Sequence, residues 1–257
     1  MAKKRVTLPK EFKDLMDEGN IEALKAVYDR CELTAHDGRF SLCTPLHMGG
    51  VPDELVIWLV EQGLDINIPD YYGATPLYRQ AILGRDTVKL LCELGADIEK
   101  PNTYGDTPLH MAAEFFHPKT VKFLIDKGAN VNAKNDMGRT PLASVLMVCR
   151  GIYIAQTAEI ASMLLDAGAK KTSKMKERVE QIGKDFEFHR ESIHPDYIEG
   201  ADKGLAKLYE LFDVKPVAKR ITHDGVSPIL VKEGSWEERY EELWSFLIPS
   251  SGAAKTV

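Results

Sequence analysis

Thr107-Pro108-Leu109-His110-Met111-Ala112-Ala113, continuing through Val121-Lys122-Phe123-Leu124-Ile125 to Gly128-Ala129-Asn130-Val131-Asn132, is the stretch on which the fold turns. Its first four residues recur as Thr44-Pro45-Leu46-His47, and in altered form as Thr75-Pro76-Leu77-Tyr78 and Thr140-Pro141-Leu142-Ala143. The four threonines are separated by 31, 32 and 33 residues. A near-constant period of this length marks one supersecondary unit stacked on copies of itself. Arrays of that kind present an extended surface to a partner, and usually carry no catalytic centre.

Each period has the same internal chemistry. Thr before Pro suits a helix start, since the hydroxyl can accept from an orphan N–H and Pro loses nothing at the first helical position. Apolar residues then follow at helical spacing, as in Val121, Leu124 and Ile125 or Val88, Leu91 and Cys92. Gly63, Gly95, Gly128 and Gly168 stand where a second helix should stop, and Gly73, Gly105 and Gly138 lie in the turn before the next Thr-Pro. One unit therefore reads as turn, helix, short loop, helix.

The period from Gly105 to Asn132 resembles the ankyrin repeat in motif, length and helix-end chemistry. The resemblance implies an all-α solenoid with β-hairpin fingers, followed here by a small α+β appendage. The expected division is 1–170 for the repeats and 171–257 for the appendage. Within the first part the expectation is a cap at 9–36 and repeats at about 37–68, 69–100, 101–133 and 134–169. The cap rests on two short apolar stripes, Phe12, Leu15 and Met16, then Ile21, Leu24, Val27 and Tyr28, broken at Gly19-Asn20.

Departures from the pattern carry expectations of their own. The first repeat has a long turn, Asp37–Cys43, and two fewer residues between Thr44 and Gly63 than the third has from Thr107 to Gly128. Tyr78 and Ala143 replace the histidine that in the family bridges neighbouring turns, so weaker junctions are expected there. The fourth repeat carries extra residues near 148–157, including Ile152, Tyr153 and Ile154, and an apolar insertion calls for a cover. The appendage is the nearest candidate.

Beyond Lys170, Met175, Val179, Ile182 and Phe186 are spaced for an amphipathic helix, and a second helix is expected over 198–212. His223-Asp224-Gly225 between 216–221 and 227–231 reads as a hairpin turn. A last helix starts at Ser235 with Glu238 completing a capping box, and is expected to bury Trp236, Tyr240, Leu243, Trp244 and Leu247. Trp244–Val257 and Phe186–Arg190 are similar to segments of uncharacterised bacterial proteins, some of them fused to ankyrin repeats. That similarity implies a bacterial chain ending inside the module, and assigns no activity.

The formal charge of −6 gives no reason to expect nucleic acid or an anionic membrane. No stretch approaches the roughly 20 apolar residues of a membrane helix, and no secretory segment follows Met1, so a cytoplasmic monomer is expected. Cys31, Cys43, Cys92 and Cys149 lack metal-ligand spacing and read as reduced thiols. His47 and His110 belong to the motif, and His117 matches a loop-facing histidine of the repeat. Glu187, His189, His194, Asp196, His223 and Asp224 remain, with His189 and His194 five apart and off a common helical face, and His194-Pro195-Asp196 reading as a turn. The expectation is a non-enzymatic chain with no cofactor, metal or catalytic residue.

Function is then expected to lie in binding another protein. The resemblance places variable contacts on the fingers and first helices. Here those are Tyr71, Tyr72 and Ala74, then Thr103, Tyr104 and Asp106, then Asp136, Met137 and Arg139, with Arg79, Ile82, Leu83, Glu114 and Phe115 on the helices. Aromatics and Arg are what interfaces concentrate. Two alternatives stay open: a neutraliser binding a toxin, and an enzyme whose chemistry sits in the C-terminal module.

Overall fold

A computed structural model describes residues 3–38, 41–219 and 234–247. The chain divides into two compact units. One comprises Met1–Val145 with Met163–Lys170, and the other comprises Leu146–Ser162 with the chain from Lys171 onward.

The first unit opens with a short strand that the sequence did not announce. β1 (Arg5–Thr7) pairs in parallel with β2 (Cys31–His36), across α1 (Phe12–Asp17), α2 (Ile21–Ala26) and a 3-10 turn at Val27–Asp29. The expected helix pair is present, with Asn20 accepting from the Ala23 N–H at 3.1 Å to start α2. Cys31 and Ala35 turn inward from β2, as a two-residue period requires.

The first Thr-Pro does not make an α-helix. Pro45–His47 is one 3-10 turn, after which Met48 is extended. Gly49-Gly50 weakens the helix and Pro52 disfavours helical geometry at Val51, so the chain runs straight to α3 (Asp53–Glu61). A missing helix strands carbonyls. Gln80, fully buried in the next period, donates from Nε2 to the Leu46 and Met48 oxygens at 3.0 and 2.8 Å. Its own Oε1 has no partner among the described residues. Replacing Gln80 by Leu should therefore cost about 1–2 kcal/mol in a urea titration, two orphaned carbonyls being only partly offset by the loss of that oxygen. An unchanged midpoint would refute the account.

The second and third Thr-Pro segments do start helices: α4 (Pro76–Leu83) with α5 (Thr87–Glu93), and α6 (Pro108–Glu114) with α7 (Pro118–Asp126). Thr75 and Thr107 are extended N-caps and Pro occupies the first helical position. α4 packs on α6, and each packs on its own second helix. Leu46, Leu77, Leu109 and Leu142, one from each Thr-Pro-Leu, are fully buried, as are Leu59, Leu91 and Leu124 of the second helices. Each contributes on the order of 2 kcal/mol by leaving water. Gly63, Gly95, Gly128 and Gly168 have φ between 89° and 96°, the left-handed stop their positions called for.

The fingers are tight turns. Among the described residues β1 and β2 are the strands, so the expected β-hairpins are not formed. The second, third and fourth fingers are each closed by one side chain: Asp70 accepts from Tyr72 and Ala74, Asn102 from Tyr104 and Asp106, and Asn135 from Met137 and Arg139. Such Asx turns do the work of a hairpin ladder in five residues.

α8 (Pro141–Val148), a 3-10 turn at Gly151–Tyr153 and α9 (Ile154–Asp166) follow. Most of the expected insertion is thus added helix, with Ile154 fully buried while Ile152 and Tyr153 stay partly exposed. In the second unit, α10 (Ser173–His189) and α11 (Pro195–Phe212) pack on each other and on Gly151–Tyr153, a partial cover that leaves the Ile152 and Tyr153 side chains exposed. Met175, Val179, Ile182 and Phe186 are buried as their spacing required. A Cβ at Gly204 would lie 2.8 Å from the Ala155 Cα, so only glycine lets α11 approach the start of α9. Arg178 donates from Nε to the Leu146 oxygen at 3.0 Å, satisfying an end carbonyl of α8.

Two expectations for this unit fail. His194-Pro195-Asp196 begins α11, with His194 at the N-cap and Pro195 at the first helical position. α12 (Trp236–Leu247) does begin with the Ser235–Glu238 capping box, but Trp236 and Tyr240 are 73% and 55% exposed. Amphipathic spacing shows which face can be buried, and cannot show that anything covers it. The expected hairpin around His223-Asp224-Gly225, and the side chains of Trp244 and Leu247, lie outside the described residues.

Candidate functional site: the finger turns and inner helices

Three backbone hydrogen bonds join successive fingers. The Tyr71 N–H donates to the Ser41 oxygen, Thr103 N–H to Tyr72, and Asp136 N–H to Tyr104, at 2.9, 2.9 and 3.0 Å. The finger residues 71–72, 104 and 136–137 are thereby brought into one register. Gly105 is needed for this, since its φ is +77° and a Cβ there would sit 2.9 Å from the Asp136 nitrogen.

Tyr71, Tyr72, Tyr104 and Met137 project from that row with 64%, 45%, 57% and 71% of their surface exposed. The Tyr71 and Tyr72 rings meet edge to face at 5.3 Å between centroids. Thr103 and Asp136 are also exposed, while Asp106 and Arg139 are half-buried. Asp106 accepts from Asn135 Nδ2 at 2.7 Å, tying the third finger to the fourth. Ala74, named with the fingers, is buried and belongs to the core with Tyr78 and Met111. On the helices, Leu83 and Phe115 are exposed and Ile82 and Glu114 half-buried. Arg79 is half-buried and turned back on its own finger, its Nε 2.7 Å from the buried carboxylate of Asp70. It braces the turn.

Beneath the row the motif histidines hold the junctions. His47 Nδ1 accepts from the Thr44 N–H at 3.2 Å and Nε2 faces the Ala74 oxygen at 3.2 Å. His110 repeats this with Thr107 N–H at 3.2 Å and the Arg139 oxygen at 3.0 Å. An accepting Nδ1 assigns the proton to Nε2, so each ring donates to the next finger. Burial pulls both pKa values below the ordinary histidine range. Tyr78 does not leave the weak junction expected of it, because its hydroxyl accepts from Asn102 Nδ2 at 2.8 Å in the following finger. On the opposite loops Asn67, Glu99 and Asn132 each accept from a backbone N–H of the next period. Sequence reading passed over these rungs, although their two-residue-spaced polar positions were visible.

Of the candidate groups of the C-terminal module, Glu187, His189, His194 and Asp196 are described, while His223 and Asp224 lie outside the described residues. Glu187 is buried and forked to Arg190 at 2.8 and 2.6 Å, and Arg190 reaches Asp202 as well. Arg190 holds the Asp202 carboxyl below its usual range. His194 caps α11, and the His189 ring packs edge-on against Phe188. Among the described residues no three His, Cys, Asp or Glu side chains could share a metal ion. Cys92 and Cys149 are pushed up to about 11 by burial, which makes poor nucleophiles of them.

A family model for the ankyrin repeat matches residues 104–136. The match covers the third finger, α6, α7 and the start of the fourth finger. No curated protein matches the chain. Ankyrin repeats are characteristically protein-interaction modules without catalytic activity. No described helix is long and apolar enough to cross a membrane.

Proposed function

We propose that the chain is a non-enzymatic binding module that engages another protein through its finger turns and inner helices, the ankyrin pattern extending beyond the matched repeat to the neighbouring periods. The observation that carries this is the placement of four large apolar side chains, Tyr71, Tyr72, Tyr104 and Met137, in one hydrogen-bonded register with about half or more of each exposed. Rings that merely packed between fingers would be covered. A contiguous exposed row of this composition is what interfaces use. Thr103, Asp106, Glu114, Phe115, Asp136 and Arg139 flank it, and Arg79 contributes by holding Asp70.

The test starts from a partner captured from source-cell lysate and identified by mass spectrometry. Tyr72→Ala and Tyr104→Ala should each weaken its binding about tenfold, near 1.4 kcal/mol, as expected for interface tyrosines. Thermal stability should change by less than about 0.5 kcal/mol, because both rings are outside the core. Unchanged affinity for both variants would refute the reading.

A further inference from the structure

The exposed apolar side chains of these repeats form two rows. Tyr72, Tyr104 and Met137 make the outer one, and Leu83 and Phe115, at the ends of α4 and α6, make the inner one. Because α4 and α6 pack side by side, members of each row repeat once per period. Tyr78 and His110, both buried, lie in sequence between the outer-row and inner-row members of their own periods.

The charges around those two residues are Asp70, Arg79, Asp106 and Glu114, with Glu99 also near His110. Asp70 and Arg79 cancel as an ion pair. Among the described residues neither Asp106, which accepts from the neutral Asn135 amide, nor Glu114 forms an ion pair, so the charge near Tyr78 and His110 is acidic. In the fourth finger Lys134 and Arg139 flank Asp136 in sequence. Along the outer row the Tyr71, Thr103 and Asp136 N–H groups are already spent on neighbouring fingers. A partner strand therefore has no donor row to extend, and recognition falls to side chains.

We propose that this face takes an amphipathic helix of another protein, its apolar stripe lying between the two rows and a Lys or Arg beside the stripe meeting Asp106 and Glu114. This rests on the partner-binding reading above and adds the chemistry of the occupant. A helix supplies apolar side chains at i, i+3 or i+4 and i+7 along a straight line, which is the form of a once-per-period row. The basic flank supplies the charge that Arg79, committed to Asp70, does not.

The test is a displayed library of random 16-residue peptides, selected on the full chain and then measured against Tyr104→Ala/Phe115→Ala and Glu114→Gln. Peptides supporting the proposal share the helical apolar period with a Lys or Arg beside it, and gain helicity by circular dichroism on binding. They lose at least tenfold affinity for the double variant and about threefold for Glu114→Gln, with binding weakened by salt. Peptides that depend on Tyr104 and Phe115 but lack the period or the basic flank overturn the helix while leaving the binding face standing. Peptides indifferent to the double variant, or no enrichment at all, overturn both.

Discussion

Arg190→Met should destabilise the second unit by about 3 kcal/mol or more, a larger loss than its position near a helix end would suggest. Glu187 is almost completely buried on α10, and its two oxygens are held by Arg190 Nε and Nη2. The same guanidinium reaches Asp202 on α11 and lies 4.5 Å above the buried Phe186 ring. A carboxylate taken out of water costs several kcal/mol unless a partner meets it with good geometry. Met preserves much of the apolar stem and removes the charge, so Glu187 is left to take up a proton or drag water into the core. Pairing the change with Glu187→Gln should recover half or more of the loss, because a buried neutral amide costs less than an orphaned charge. Guanidinium denaturation of the two single variants and the double variant measures this coupling. A loss below about 1 kcal/mol for Arg190→Met, or no recovery in the double variant, would show that the fork contributes little.

How far the sequence could be read depended on whether each signal was local. Thr-Pro, the helix-stop glycines and the leucine after each Pro act within a turn of themselves, and Thr75, Thr107, Gly95 and Leu109 stand where they were expected. The first period was misread although its signal was local as well, since Gly49-Gly50 and Pro52 argue against a helix once weighed together. β1 was illegible for another reason. Arg5–Thr7 is too short to show a strand period, and Arg5 finds its strand partner 26 positions away at Cys31, a pairing that no local pattern encodes.

The candidate site divides the same way. Exposure of Tyr71, Tyr104 and Met137 follows from their place between an Asx position and a glycine, which is a local matter. Ala74 follows that glycine too and is buried, because it packs with Tyr78 and Met111 of the inner helices. Arg79 had the composition of a contact residue, yet Asp70, nine residues earlier, claims it. Tyr78 looked like a lost junction until Asn102 supplied the donor from the next period. In each case the deciding partner lies on another element, and a single sequence does not say which element that is.

His110→Ala should cost about 3 kcal/mol, and the loss should be pH-dependent in a direction fixed by burial. The ring is fully buried, and its removal opens a cavity and strands two backbone groups, the Thr107 N–H and the Arg139 oxygen. The junction between the third and fourth fingers is what is lost. In the intact protein, burial holds His110 and His47 below the ordinary histidine value, so both rings stay neutral while the unfolded chain protonates. As pH falls through about 6.5 the unfolded state then binds more protons than the folded one, and stability declines. The slope should be at most about 1.4 kcal/mol per pH unit for each histidine, and it should vanish above about pH 7.5. The folded state resists the proton because burial penalises the charged ring. Urea titrations from pH 7.5 to 5.5 should show the decline in the native chain and a shallower one in His47→Gln/His110→Gln. Equal slopes would mean that the acid sensitivity resides elsewhere and that these rings do not hold the fingers as neutral donors.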